Sequence, residues 1–156
     1  MGDESAKRAA EEYLAARLSE ESQSYEEQQN REAAIKLGLT VWNGLAETVL
    51  RQCREWNAVT GEQTLACKET ALGDLRILCA GRSFQMVVHY NSKQGLVIIK
   101  NTARPENEPD TVLSIEGYLT GEGRNARLVR NKEPVNVDML ILGHLRVLAG
   151  LSRRAE

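Results

Sequence analysis

An α+β fold is what the chain predicts, and three features of its 156 residues predict it. A long amphipathic helix comes first, short segments of alternating character follow from about residue 63, and a second apolar helix closes the chain. Every link between the alternating segments is short, so neighbours in sequence are expected to be antiparallel neighbours in space. The expected architecture is a single antiparallel sheet of five to six strands packed on the long N-terminal helix, with a C-terminal helix.

The long helix is read from about Arg31 to Asn57. Ile35, Leu39, Trp42, Leu45, Val49, Leu50, Cys53 and Trp56 recur at steps of three and four, the spacing of a helix that buries one face. Both tryptophans lie on that stripe, so it carries the two largest apolar surfaces in the chain. Gly38 and Gly44 interrupt it at a cost of about 1 kcal/mol each relative to Ala, and either glycine permits another backbone to come close.

Residues 1–30 form an acidic, Ala-rich helical arm, and residues 31–156 form the α+β domain. Within the arm, Ala6, Ala9, Ala10, Tyr13, Leu14 and Leu18 have helical spacing over 5–18. Their stripe is narrow and marginal in isolation, so the arm requires a neighbour, either this domain or another copy of the chain. Ser24 and Glu27 fit a capping box that would start a new helix near Tyr25. One continuous helix from Ser5 to Asn57 with a polar middle is the alternative. No sustained heptad is present, which disfavours a long coiled coil.

Six strands are predicted between Gln63 and Lys132: 63–69, 74–80, 83–91, 96–103, 111–119 and 124–131. Ser92-Lys93-Gln94-Gly95 reads as a tight hairpin. The loop from Arg104 to Pro109 holds two prolines and is excluded from a central ladder. Alternation places Phe84, Met86, Val88, Tyr90, Val97, Ile99, Leu113, Ile115, Leu119, Ala126 and Leu128 on the face that meets the helix. The opposite face is mixed: Gln85, Val87, His89, Ile98, Lys100, Ser114, Glu116, Tyr118, Arg127 and Val129. A last helix is expected over Val137–Leu151, with Asn136 as N-cap and Asp138 favourable in its first turn. It is apolar over most of its circumference, so it should touch more than one surface. Strands closed by a C-terminal helix resemble the order of pleckstrin-homology-like domains, and a sheet wrapped on a long helix resembles hot-dog folds, in architecture alone.

Composition is that of an ordinary globular chain, 42% hydrophobic and 27% charged, and no apolar run approaches the ~20 residues that span a bilayer. The N-terminus lacks a signal peptide's apolar core and does not fit the myristoylation pattern after Gly2. A cytoplasmic protein without membrane contact is expected. Cys53, Cys67 and Cys79 never adopt C-x-x-C spacing, and each lies in an apolar pattern, so all three are read as small buried hydrophobes. The net charge of −2 is uneven. Residues 1–32 hold nine acidic and four basic side chains, a balance of −5, against +3 for the remainder.

No G-x-S-x-G, Walker loop, H-E-x-x-H or dinucleotide fingerprint is present. With two histidines, a metal site within one chain is not expected, nor is a cofactor. His89 on the mixed face, with Lys100, Glu116, Tyr118 and Arg127 as companions, is the candidate ligand-binding or general-base group. His144 reads as a core histidine. The run from Arg124 to Lys132 carries four cations and no acid, but with one nearby aromatic, Tyr118, it makes a poor nucleic-acid surface. The acidic arm is an equally good partner for it. The leading reading is a non-enzymatic interaction or scaffold domain that binds itself or another protein. A small-molecule-binding domain or enzyme using the mixed face around His89, and weak nucleic-acid binding through 124–132, remain as alternatives.

Overall fold

The computed structural model describes residues 2–151, with side chains from residue 4 onward. The fold is α+β as expected. Helix α1 (Gly2–Thr60) leads into seven strands, β1 (Leu65–Glu69), β2 (Leu75–Cys79), β3 (Gln85–Asn91), β4 (Leu96–Asn101), β5 (Thr111–Thr120), β6 (Gly123–Arg130) and β7 (Glu133–Pro134), and helix α2 (Val137–Leu148) closes the chain. The strands lie side by side in chain order, and each pair is antiparallel.

Seven strands replace the five to six expected because the chain folds back once more after β6. Asn131 and Lys132 both adopt positive φ, 52° and 67°. Two such residues in succession make the tight turn whose twist matches a hairpin. Lys132 is an unusual residue for that conformation, so the sequence carries little warning of it. The hairpin at Ser92–Gly95 forms as read, with Asn91 opposite Leu96 and Tyr90 opposite Val97.

The arm and the long helix are one element of 59 residues, roughly 90 Å at 1.5 Å per residue. The capping box at Ser24 and Glu27 does not restart the helix. Every residue from 4 to 28 is exposed, and burial begins at Gln29 and Asn30. From there α1 crosses the inner face of the sheet from β5 and β6 to β1. Asn57 ends the crossing: its side chain accepts from Leu65 N at 2.8 Å and donates to Leu65 O at 2.9 Å, so an amide stands in for a strand neighbour.

The core lies between that face and the two helices. Trp42, Leu45, Val49 and Cys53 of α1 meet Ile77, Met86, Val88, Val97, Ile99, Leu113, Ile115 and Leu128, and Trp56 is half-buried against them. Trp42 stacks on Tyr90 with ring centroids 5.5 Å apart. Several residues read as inward-facing are not. Ile35, Leu39 and Leu50 of α1 are 75%, 61% and 37% exposed. Phe84 and Leu119, at strand ends beyond the cover of the helices, are exposed as well. The stripe that meets the sheet runs Ala34, Gly38, Trp42, Leu45, Val49, Cys53, Trp56. Ile35 and Leu39 belong to a second stripe beside it, and only the rotation imposed by the sheet separates the two.

Gly38 sits under Tyr90, whose hydroxyl is 2.6 Å from where a Cβ would be, whereas Gly44 has nothing within 4 Å. The closest backbone approach is at Gly117 of β5, where a Cβ would lie 2.1 Å from Asn30 O. α2 carries the expected N-cap, Asn136 accepting from Met139 N at 3.1 Å. It ends three residues early because Gly150 takes φ +87° and Leu151 N donates back to Arg146 O. Ile141, His144, Leu145 and Leu148 are buried, while Met139 and Leu142 are exposed.

Candidate functional site

Strand alternation places His89, Lys100, Glu116, Tyr118 and Arg127 on one face, and strand register then distributes them. His89 is level with Ile98, and Ile98 with Val112. Glu116 lies four residues further along β5, so it stands roughly 17 Å from His89 at ordinary strand spacings. Lys100 pairs with Val87, one row away in the opposite direction, and is exposed. The expected flanking of His89 by Glu and Tyr is therefore not formed. Alternation fixes a face, but the rows depend on where each hairpin turns.

The five residues divide into two groups and a lone lysine. His89 Nδ1 lies 2.6 Å from Asp74 Oδ1, a partner that sequence reading missed. Asp74 precedes β2, and its place beside His89 follows from the pairing of Leu75 with Val88. Such a dyad orients an imidazole, and the hydroxyl beside it, Thr70 Oγ1, accepts from Asp74 N at 3.2 Å. On the other side Glu116 is directly opposite Arg127, and the Arg127 guanidinium lies 4.2 Å above the Tyr118 ring.

A cleft of about 800 Å³ opens where β4 stops short of β5. The last rung between them is Ile115 N to Gly95 O at 2.8 Å, and β5 continues to Thr120 with no strand among the described residues on that edge. Asn30 and Ala34 of α1, Tyr90, Lys93, Glu116 and Lys132 line the opening. Of the expected site residues it reaches Glu116 alone.

His144 is a satisfied core histidine. It is 5% exposed, with Nε2 3.1 Å from Thr111 Oγ1 and Nδ1 3.4 Å from Asn101 Nδ2. Arg104 extends the cluster, donating to Thr111 Oγ1 and pairing with Glu108 at 2.6 Å. Of the cations between Arg124 and Lys132, Arg124 is held by the Asn30 side chain and Arg127 by Tyr118, while Arg130 and Lys132 are exposed. Arg146 shares α2 with His144, and Arg153 and Arg154 lie outside the described residues.

The cysteines are free; Cys53 and Cys79 are buried and Cys67 is half-buried. A hydrogen bond with Cys67, and then burial, push the Cys53 thiol well above its ordinary range. The same hydrogen bond, received by Cys67, lowers the Cys67 thiol against an opposing contribution from burial. Among the described residues no group of three or more His, Cys, Asp or Glu side chains is placed to hold a metal ion. No helix among them is long and apolar enough to cross a membrane.

The largest unassigned surface is the arm. Leu14, Leu18 and Tyr25 are 55%, 65% and 62% exposed, and Ile35 and Leu39 continue their stripe onto the part of α1 that crosses the sheet. Compared with known proteins, the chain matches no family model, no curated protein and no solved structure.

Proposed function

We propose that the chain is a non-enzymatic interaction domain that self-associates through its helical arm. The carrying observation is the exposure of residues 4–28 of α1 together with the large apolar side chains they present. The arm extends a helix already nucleated in the body, but propagation alone gains little per residue, so without apolar cover it frays in water. Contact with a second chain supplies the apolar cover that the body does not. The dispersal of His89, Lys100 and Glu116 supports a binding role over a catalytic one.

Sedimentation equilibrium of the full chain at tens of micromolar is the test. The expected result is a mass near twice 17.4 kDa. A single species at the monomer mass across that range would refute self-association. A second reading, small-ligand binding, is favoured by the cleft beside Glu116, Lys93 and Lys132. A screen of small carboxylates and phosphates that leaves thermal unfolding unmoved would count against it.

A further inference from the structure

Resting on that self-association reading, we infer that two copies pair through α1 in antiparallel sense, about a two-fold axis near the Glu26–Glu27 peptide. The exposed stripe is close to palindromic. Turning one copy end over end about that point sets Leu14 against the partner's Leu39, Leu18 against the partner's Ile35, Tyr25 against the partner's Gln28 and Glu21 against the partner's Glu32. Each pair recurs by symmetry. The positions advance by three and four, and on a straight helix such a seam drifts by about 20° per seven residues, so the pair winds left-handed.

The stripe is open along this length. Leu14, Leu18, Tyr25, Ile35 and Leu39 are all more than half exposed. α2 meets α1 on the opposite flank, through Arg51 and Gln52. Partner arm and α2 therefore do not compete for the same side.

Charge selects the direction. Residues 2–26 carry seven acidic and three basic side chains, a balance of −4, while residues 27–51 carry three of each and balance to zero. A parallel pair would lay −4 along −4. The antiparallel pair lays −4 along a neutral segment. Glu21 facing the partner's Glu32 opposes the pairing. Arg17, 3.4 Å from Glu21, offsets part of that repulsion, and a polar layer within an apolar seam fixes register at a cost in stability. The bodies then sit toward opposite ends of an apolar seam roughly 40 Å long from Leu14 to Leu39, and the partner's arm passes along Ile35, on the rim of the cleft.

Cysteine pairs test the geometry. Leu18→Cys and Ile35→Cys chains are mixed under a mild oxidant and compared with each variant alone and with the unsubstituted chain, which sets the background from the native thiols. The expected result is at least fivefold more disulfide-linked dimer in the mixture than in either variant alone. Both positions are exposed, so neither change touches the core. Leu14→Cys with Leu39→Cys provides an independent pair and should behave the same way. Linking of Leu18→Cys to itself as well as in the mixture would mean a parallel pair and overturn the inference. No linking in either mixture, with the mass still that of a dimer, would place the interface elsewhere and also overturn it. A monomeric mass would instead remove the self-association reading beneath it.

Discussion

Three residues carry consequences that the fold makes testable one at a time. Gly117 admits the α1 backbone, and any Cβ there meets a carbonyl oxygen rather than a yielding side chain. Gly117→Ala is expected to destabilise the fold by about 1–3 kcal/mol, the usual range for forced overpacking. Gly44 is the control: mid-helix and with no neighbour, its change to Ala should stabilise by about 1 kcal/mol. Urea unfolding of both variants checks the pair, and equal effects of the same sign would contradict the packing. Thiol chemistry gives a second prediction. The lowered Cys67 thiol holds a larger thiolate fraction at pH 8 than an ordinary cysteine, while Cys53 stays protonated. Alkylation should therefore modify Cys67 first, and Cys67→Ser should abolish the fast phase. Earlier modification of Cys53 or Cys79 would contradict that order.

Among the elements, α1 performs two tasks with two stripes. Its C-terminal half fills the sheet, and its N-terminal half presents Leu14, Leu18 and Tyr25 to solvent. Leu14→Asn combined with Leu18→Asn should abolish the dimer in sedimentation runs while leaving the body's unfolding, read from Trp42 and Trp56, unchanged. An unchanged mass would show that the arm is not the interface. Asn57→Ala, by contrast, removes both bonds to Leu65 and should cost about 1–3 kcal/mol in the body. The long helix, the Ser92–Gly95 hairpin, the strand faces and the Asn136 cap were all legible, because each rests on local periodicity or turn chemistry. The rotation of α1 was not. Trp42 and Leu39 both satisfy helical spacing, and only contact with Tyr90 and Ile115 decides which side faces in. Asp74 beside His89 was hidden for a related reason, since that contact depends on the register of two hairpins. The cleft at the end of β4 depends on the unequal lengths of neighbouring strands, which alternation alone does not report.

For the molecule as a whole, the body encloses a core and the arm encloses none. The sheet, α2 and the second half of α1 enclose one continuous core, whereas residues 4–28 touch none of it. An arm held only by its own hydrogen bonds opens and closes with a free energy near zero, and one held by a second chain inherits the stability of the pair. Amide hydrogen exchange across a dilution series reads this difference directly. Pairing through the arm predicts that protection of residues 4–28 rises with concentration in step with the dimer mass, while protection of β3–β5 stays constant. Arm amides that exchange freely at every concentration, beside a protected body, would contradict it.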